Sequence, residues 1–139
     1  MSCNWKYFAL SGGPWYTFYM KKLSEAQCQA AMETGDFTGD LIEGKATAII
    51  LTQSWCPQWK AMQGFLPKAE EELPQAKIYY VEYDIEPWES LSAEDFMAFK
   101  ENTLNNREIP YLRYYQNGVF SRDGNFISLD GFKSRLGLG

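Results

Sequence analysis

The chain has 139 residues, 45% hydrophobic and 22% charged, and its thirteen Lys and Arg against eighteen Asp and Glu leave a formal net charge of −5. This length and balance fit a single globular domain with a core of its own and exclude disordered and collagen-like classes. An acidic excess without a basic stripe argues against a nucleic-acid partner.

Histidine is absent. Ser-His and Cys-His catalysis and every His-containing metal site are therefore excluded, and any acid or base has to be Asp, Glu, Lys, Tyr or Cys. No apolar run approaches the roughly 18 residues of a membrane helix, so no membrane partner is expected. The N-terminus, MSCNWKYFALSGG, lacks the roughly 7–15-residue apolar core of a secretory signal. Three cysteines (Cys3, Cys28 and Cys56) suit a reducing compartment better than a disulfide framework, and the chain reads as cytoplasmic.

In chain order, residues 5–10 (WKYFAL) and 15–20 (WYTFYM) are aromatic-rich runs joined by Ser11-Gly12-Gly13-Pro14, which predicts a hairpin. Ser24 with Gln27 three residues on is a capping-box pattern and predicts a short helix to Glu33. Thr34 to Gly44 reads as a loop. Ala46 to Thr52 (ATAIILT) is nearly all apolar, as a strand covered on both faces should be. A helix is predicted from Pro57, because Trp59, Met62, Leu66, Ala69 and Leu73 step by three and four; Pro67 should kink it. Ile78 to Tyr83 reads as a strand. Ser92 opens another helix with Phe96 and Phe99 on its core side.

Tyr111–Gln116, Asn117-Gly118 and Val119–Arg122 form a hairpin signal, and Ser128 to Leu136 a closing helix. The order from residue 46 is strand, helix, strand, helix, strand, strand, helix. That predicts an α/β domain with a mixed sheet flanked by helices. No linker, repeat or low-complexity tract divides it, so residues 1–139 are read as one domain.

The chemistry concentrates after the central strand, at Trp55-Cys56-Pro57-Gln58-Trp59-Lys60. Cys56 falls at a helix start, where unpaired N–H groups and the dipole favour negative charge and so suit a thiolate. Pro57 fits the first turn, which has no partner for its missing N–H.

This segment resembles the thioredoxin superfamily, which carries W-C-x-x-C-K between a central strand and a kinked helix. Ile109-Pro110 precedes the hairpin where the family has a cis-proline facing the active thiol. Asn117-Gly118 resembles the family's hairpin turn, and Gly124 its glycine after the last strand. The resemblance spans about residues 37–136, with residues 1–36 as an N-terminal extension. It implies a thioredoxin-like fold, Cys56 as the reacting thiol, and Trp55, Pro57, Ile109 and Pro110 beside a bound substrate.

The departures are informative. Trp59 replaces the family's resolving cysteine, and the family's buried acid, six residues before the first cysteine, would fall on Ile50. Dithiol chemistry within this helix is therefore excluded. One reading is monothiol thiol–disulfide exchange through Cys56, with a protein disulfide or a glutathione-type thiol as partner and an external thiol as resolver. The alternative is a non-catalytic module binding a protein or peptide. An iron–sulfur carrier is a third reading, but the motif does not resemble that of single-cysteine glutaredoxins. No cofactor or metal is implied, and the oligomeric state is not legible.

Each feature also has a plain structural reading. Cys56 can be an inert inherited thiol, Trp59 core, and Cys28 a small buried hydrophobe rather than a distant resolver; Cys3 sits near a terminus that can fray. Asp36, Thr38 and Asp40 alternate like a calcium loop, but the twelfth position is Thr47 rather than Glu, so that reading fails. Glu70-Glu71-Glu72 reads as an exposed helix face. Trp5, Trp15 and Trp88 are candidates for a binding surface.

Overall fold

The computed structural model of the chain describes residues 20–138. The aromatic-rich hairpin, Cys3, Trp5 and Trp15 lie outside the described residues, apart from Met20 at the end of the second run.

The described chain begins with a two-residue strand, β1 (Lys21–Lys22), followed by α1 (Glu25–Thr34). The Ser24 side chain accepts from the Gln27 N–H, and the Gln27 side chain accepts from the Ser24 N–H. This reciprocal capping box satisfies two donors that the helix start would leave open. Gly35 ends α1 with φ +97°, a left-handed conformation that glycine adopts without a side-chain clash.

Three-layer order comes from the central elements. β2 (Ala46–Thr52) is buried at every position, and α2 (Pro57–Gln63) and α3 (Leu66–Glu72) carry the chain back to β3 (Ala76–Glu82). After α4 (Ala93–Ala98) and a π-helical turn at Phe99–Thr103, the hairpin β4 (Tyr111–Gln116) and β5 (Val119–Gly124) leads to α5 (Leu129–Leu136). The sheet order is β1-β3-β2-β4-β5. β3 runs parallel to both β1 and β2, while β4 runs antiparallel to β2 and to β5. The result is a mixed five-stranded sheet flanked by helices, with Asn117 (φ 53°) and Gly118 (φ 79°) making the hairpin turn. Positive φ at both central positions is what a type I′ turn requires.

Strand residues alternate between two cores, as the period of two dictates. Ile49, Leu51, Val81, Tyr83, Tyr111 and Tyr115 pack with Cys28 and Ala31 of α1 and Phe96 of α4. Ala48, Ile50, Ile78, Leu112 and Tyr114 pack with Trp59, Met62, Leu66, Ala69 and Phe132 of α2, α3 and α5. Residues 21–34, outside the span of the motif resemblance, thus belong to the sheet and to the first core.

Several local expectations need correction. The 34–44 segment is not all loop: Gly39–Ile42 forms a 3-10 turn that buries Leu41 and Ile42. The second helix does not kink at Pro67 but ends before it. Gly64 and Phe65 separate α2 from α3, and Pro67 sits in the first turn of α3, where its missing N–H costs nothing. Glu70 is buried at 8% exposure, so only Glu71 and Glu72 face solvent. Trp88 is half-buried and packs edge-on against Phe96, with ring centroids 5.4 Å apart, which makes it core rather than a free binding surface. Among the described residues no helix is long and apolar enough to cross a membrane.

Candidate functional site

The parallel β2–β3 pair brings two strand C-termini together, with Thr52 opposite Glu82. The loops leaving them, 53–56 and 83–86, are therefore neighbours, at the strand ends where α/β sheets place their ligands. Cys56 is the residue capping α2, with φ −68° and ψ 119°, and Pro57 opens the helix.

Cys56 is only 4% exposed. Its Sγ lies 3.8 Å from the Ile109 carbonyl oxygen, within reach of a weak S–H donor. The Ile109–Pro110 peptide bond is cis; Pro110 is buried and Ile109 half-buried. The fold thus brings Cys56, Ile109 and Pro110 together from sequence positions 53 residues apart. Trp55 and Pro57 flank the thiol on the surface, with Trp55 60% exposed, and Lys60 is exposed one turn along.

The loops around the thiol are tied by polar side chains. Ser54 donates through its N–H and its hydroxyl to the two carboxylate oxygens of Asp84, at 2.8 and 2.7 Å. Gln53 donates to the Tyr83 hydroxyl at 3.1 Å and accepts from the Trp55 indole N–H at 2.6 Å. The exposed indole is thereby held by a hydrogen bond, and Ile85, also 60% exposed, adds a second apolar side chain on the neighbouring loop.

Trp59 is fully buried. Its indole N–H donates to Glu82 Oε2 at 2.8 Å, and its ring lies 5.7 Å from that of Tyr80. Position 50 holds no acid, as the sequence says, yet a carboxylate still reaches residue 59. It comes from the adjacent strand, on the same face as Ile50. Burial and the Glu82 and Glu86 carboxylates push the Tyr80 phenol up.

Cys28 is not placed to resolve anything on Cys56. It is fully buried in the core on the other face of the sheet from Cys56. Burial, helped by the Glu86 and Glu25 carboxylates, pushes its thiol up to about 12.

Sequence reading missed the ties of Gln53 to Tyr83 and of Ser54 to Asp84 beside the thiol, and of Glu82 to Trp59. The available signal was the parallel βαβ unit, which places the residues after both strands side by side. It also missed Asn106 and Asn125, which form a reciprocal amide pair at 3.1 and 3.0 Å, with Asn125 Nδ2 donating to the Pro110 carbonyl at 3.0 Å. Nothing in their local sequence signals that contact.

The mixed five-stranded sheet in this order, flanked by helices, defines a thioredoxin-like fold. Solved structures that match it include thioredoxin O2 of Arabidopsis thaliana in its oxidised state, 18% identical over 84% of this chain and 90% of that chain, with a TM-score of 0.57. Mitochondrial thioredoxin 3 of Saccharomyces cerevisiae in its oxidised form is 13% identical over 85% and 93%, with a TM-score of 0.58. A chain from a structure of the thiol-resolving mechanism in yeast mitochondrial 1-Cys peroxiredoxin via glutathione/thioredoxin systems is 13% identical over 87% and 98%, with a TM-score of 0.59. At these identities the likeness is one of fold. No protein-family model matches the sequence, and no curated protein matches it.

Proposed function

We propose that the protein carries out monothiol thiol–disulfide exchange through Cys56, with an external thiol of the glutathione type as resolver. The observation that carries this reading is the meeting of the Cys56 sulfur with the Ile109 carbonyl at 3.8 Å, while the position one helical turn on is filled by a buried Trp59. A reacting sulfur beside a backbone segment, with no second thiol in its helix, suits a one-cysteine route, which needs only a thiolate and an accessible partner sulfur.

In that route the Cys56 thiolate attacks the glutathione sulfur of a glutathionylated protein. The S–S bond of the substrate breaks, its thiolate leaves and takes up a proton, and a Cys56–glutathione disulfide forms. A second glutathione thiolate attacks the glutathione sulfur of that adduct, releasing glutathione disulfide and regenerating Cys56. Trp55, Pro57, Ile109 and Pro110 line the substrate, with Trp55 and Ile85 as its apolar contacts. No resident cofactor takes part, and the partners are proteins carrying a disulfide or a glutathione adduct.

One observation favours a second reading, a binding module without turnover. Cys56 is only 4% exposed while Trp55 and Ile85 beside it are 60% exposed, a balance that suits holding a peptide better than attacking one. Turnover separates the two. Glutathione-dependent reduction of a glutathionylated protein, abolished in Cys56→Ser, is the expected result. Tight binding of the same substrate with no reduction above the uncatalysed rate would leave the binding module.

A further inference from the structure

We propose that Asn125 and Asn106 are positioning residues that latch the Ile109–Pro110 segment over Cys56 and so set the access of an incoming sulfur to that thiol. This rests on Cys56 being the reacting group.

Proline has no N–H to donate, so Pro110 cannot anchor its own segment through the nitrogen. Its carbonyl does so instead. Asn125, the residue after β5, donates through Nδ2 to the Pro110 oxygen at 3.0 Å and to Asn106 Oδ1 at 3.0 Å. Both protons of that amide are thus used. Asn106 donates back to Asn125 Oδ1 at 3.1 Å, and its Oδ1 also accepts the Glu108 N–H at 3.0 Å. The same side chain therefore grips both the end of the β4–β5 hairpin and the residue just before Ile109.

Asn106 is itself fixed at its backbone. Lys100, in the π-helical turn and only 1% exposed, donates through Nζ to the Asn106 carbonyl at 2.8 Å. The Asn106 N–H donates to the Lys100 carbonyl at 3.2 Å. A buried ammonium is costly to leave without an acceptor, so the turn and Asn106 hold each other. Lys100, Asn106, Asn125 and Pro110 thus form a strut that ends one residue from the carbonyl facing Cys56. Ile109, at its tip, packs against the core that contains Cys56, which is how a nearly enclosed thiol comes to be covered.

The latch has a distinctive chemical sensitivity. Asn125→Asp keeps the shape but replaces the donating nitrogen with an oxygen facing two acceptor oxygens, turning two attractions into repulsions. Asn106→Asp turns only one attraction, the donation to Asn125 Oδ1, into a repulsion and keeps the acceptor side, so its effect should be smaller.

The test is iodoacetamide labelling of the full chain, with Cys56 and Cys28 followed separately by peptide mapping, alongside glutathione-dependent turnover. Cys28 is fully buried on the opposite face and reports any general loosening. In Asn125→Asp, Cys56 labelling should rise by at least about fivefold, the effect of losing one net hydrogen bond, since two are lost. Cys28 labelling should stay unchanged, and turnover should fall because the segment no longer presents its backbone. A merely structural role would raise both labelling rates together. Unchanged Cys56 labelling, or a parallel rise at Cys28, would overturn the latch. If Asn125→Asp does not fold, Asn106→Asp decides by the same criteria with a smaller rise. A wild-type chain inactive in turnover whose Cys56 still responds to Asn125→Asp would reject the exchange reading and keep the latch.

Discussion

The two faces of the sheet each bury a cysteine, and they bury it differently. On the α1 and α4 face, Cys28 sits among Leu23, Phe37 and aromatic rings, with carboxylates that disfavour its thiolate. On the α2, α3 and α5 face, Cys56 lies at the C-terminal end of the central strand, against a backbone carbonyl and beneath loops fixed by Asp84, Gln53 and Asn125. Equal burial therefore does not mean equal chemistry. Burial and nearby carboxylates push the Cys28 thiol up to about 12, so it stays protonated at pH 7, whereas Cys56 is one exposed tryptophan away from solvent.

The first face also carries a polar network centred on a buried arginine. Arg113, 6% exposed, donates to Asp36 at 2.6 Å, to the Tyr115 hydroxyl at 2.9 Å and to the Tyr111 hydroxyl at 2.7 Å. Tyr115 donates to Asp36 and Tyr111 to Asp123. Every member is partnered, which is the condition under which a buried polar network is tolerated. That face reads as structural.

The sharpest way to break this division is at Trp59. Trp59→Cys restores the two-cysteine spacing but empties a fully buried indole site and removes the donor to Glu82. Large-to-small changes of this kind cost roughly 3–5 kcal/mol, and the expected result is a loss of that size in denaturant unfolding with little gain in insulin-disulfide reduction. A stable variant with strong dithiol activity would show that the tryptophan alone silences the site.

A smaller effect follows from the other face. Cys28 keeps its proton up to about 12 when folded, against 9.0 for the unperturbed thiol. The folded state therefore binds a proton that the unfolded chain releases. The stability it contributes is complete below about pH 9 and is lost as pH rises toward about 12. Tyr111, raised by burial to about 12, acts in the same direction above about pH 10. Stability should fall by about 1 kcal/mol per pH unit from Cys28 once above pH 9, and Cys28→Ala should flatten that part of the profile. An unchanged alkaline slope in Cys28→Ala would remove this thiol from the explanation.

Much of this architecture is legible in the sequence where the signal is local. The run Ala46–Thr52 announces a strand covered on both faces, Asn117-Gly118 a hairpin, and Ser24 with Gln27 a helix start. What is not legible is either too short or too distant in sequence. Lys21–Lys22 is a two-residue polar strand with no period to detect, and it exists because the β3 edge accepts it. The break at Gly64–Phe65 comes before the proline that local reasoning blames. At the site, Cys56, Trp59 and Pro110 stand out through motif and spacing. Glu82, Asp84, Asn106 and Asn125 reach it only through strand pairing and hairpin closure, which no short-range pattern encodes.

The most direct measurement is glutathione-adduct mapping. The full-length protein is exposed to glutathione disulfide, and the peptides bearing Cys56 and Cys28 are analysed by mass spectrometry before and after adding reduced glutathione. The predicted result is one glutathione on Cys56, none on Cys28, and loss of the Cys56 adduct when the thiol is added. An unmodified Cys56 beside a modified Cys28, or a Cys56 adduct that reduced glutathione does not release, would contradict the assignment of Cys56 as an externally resolved nucleophile.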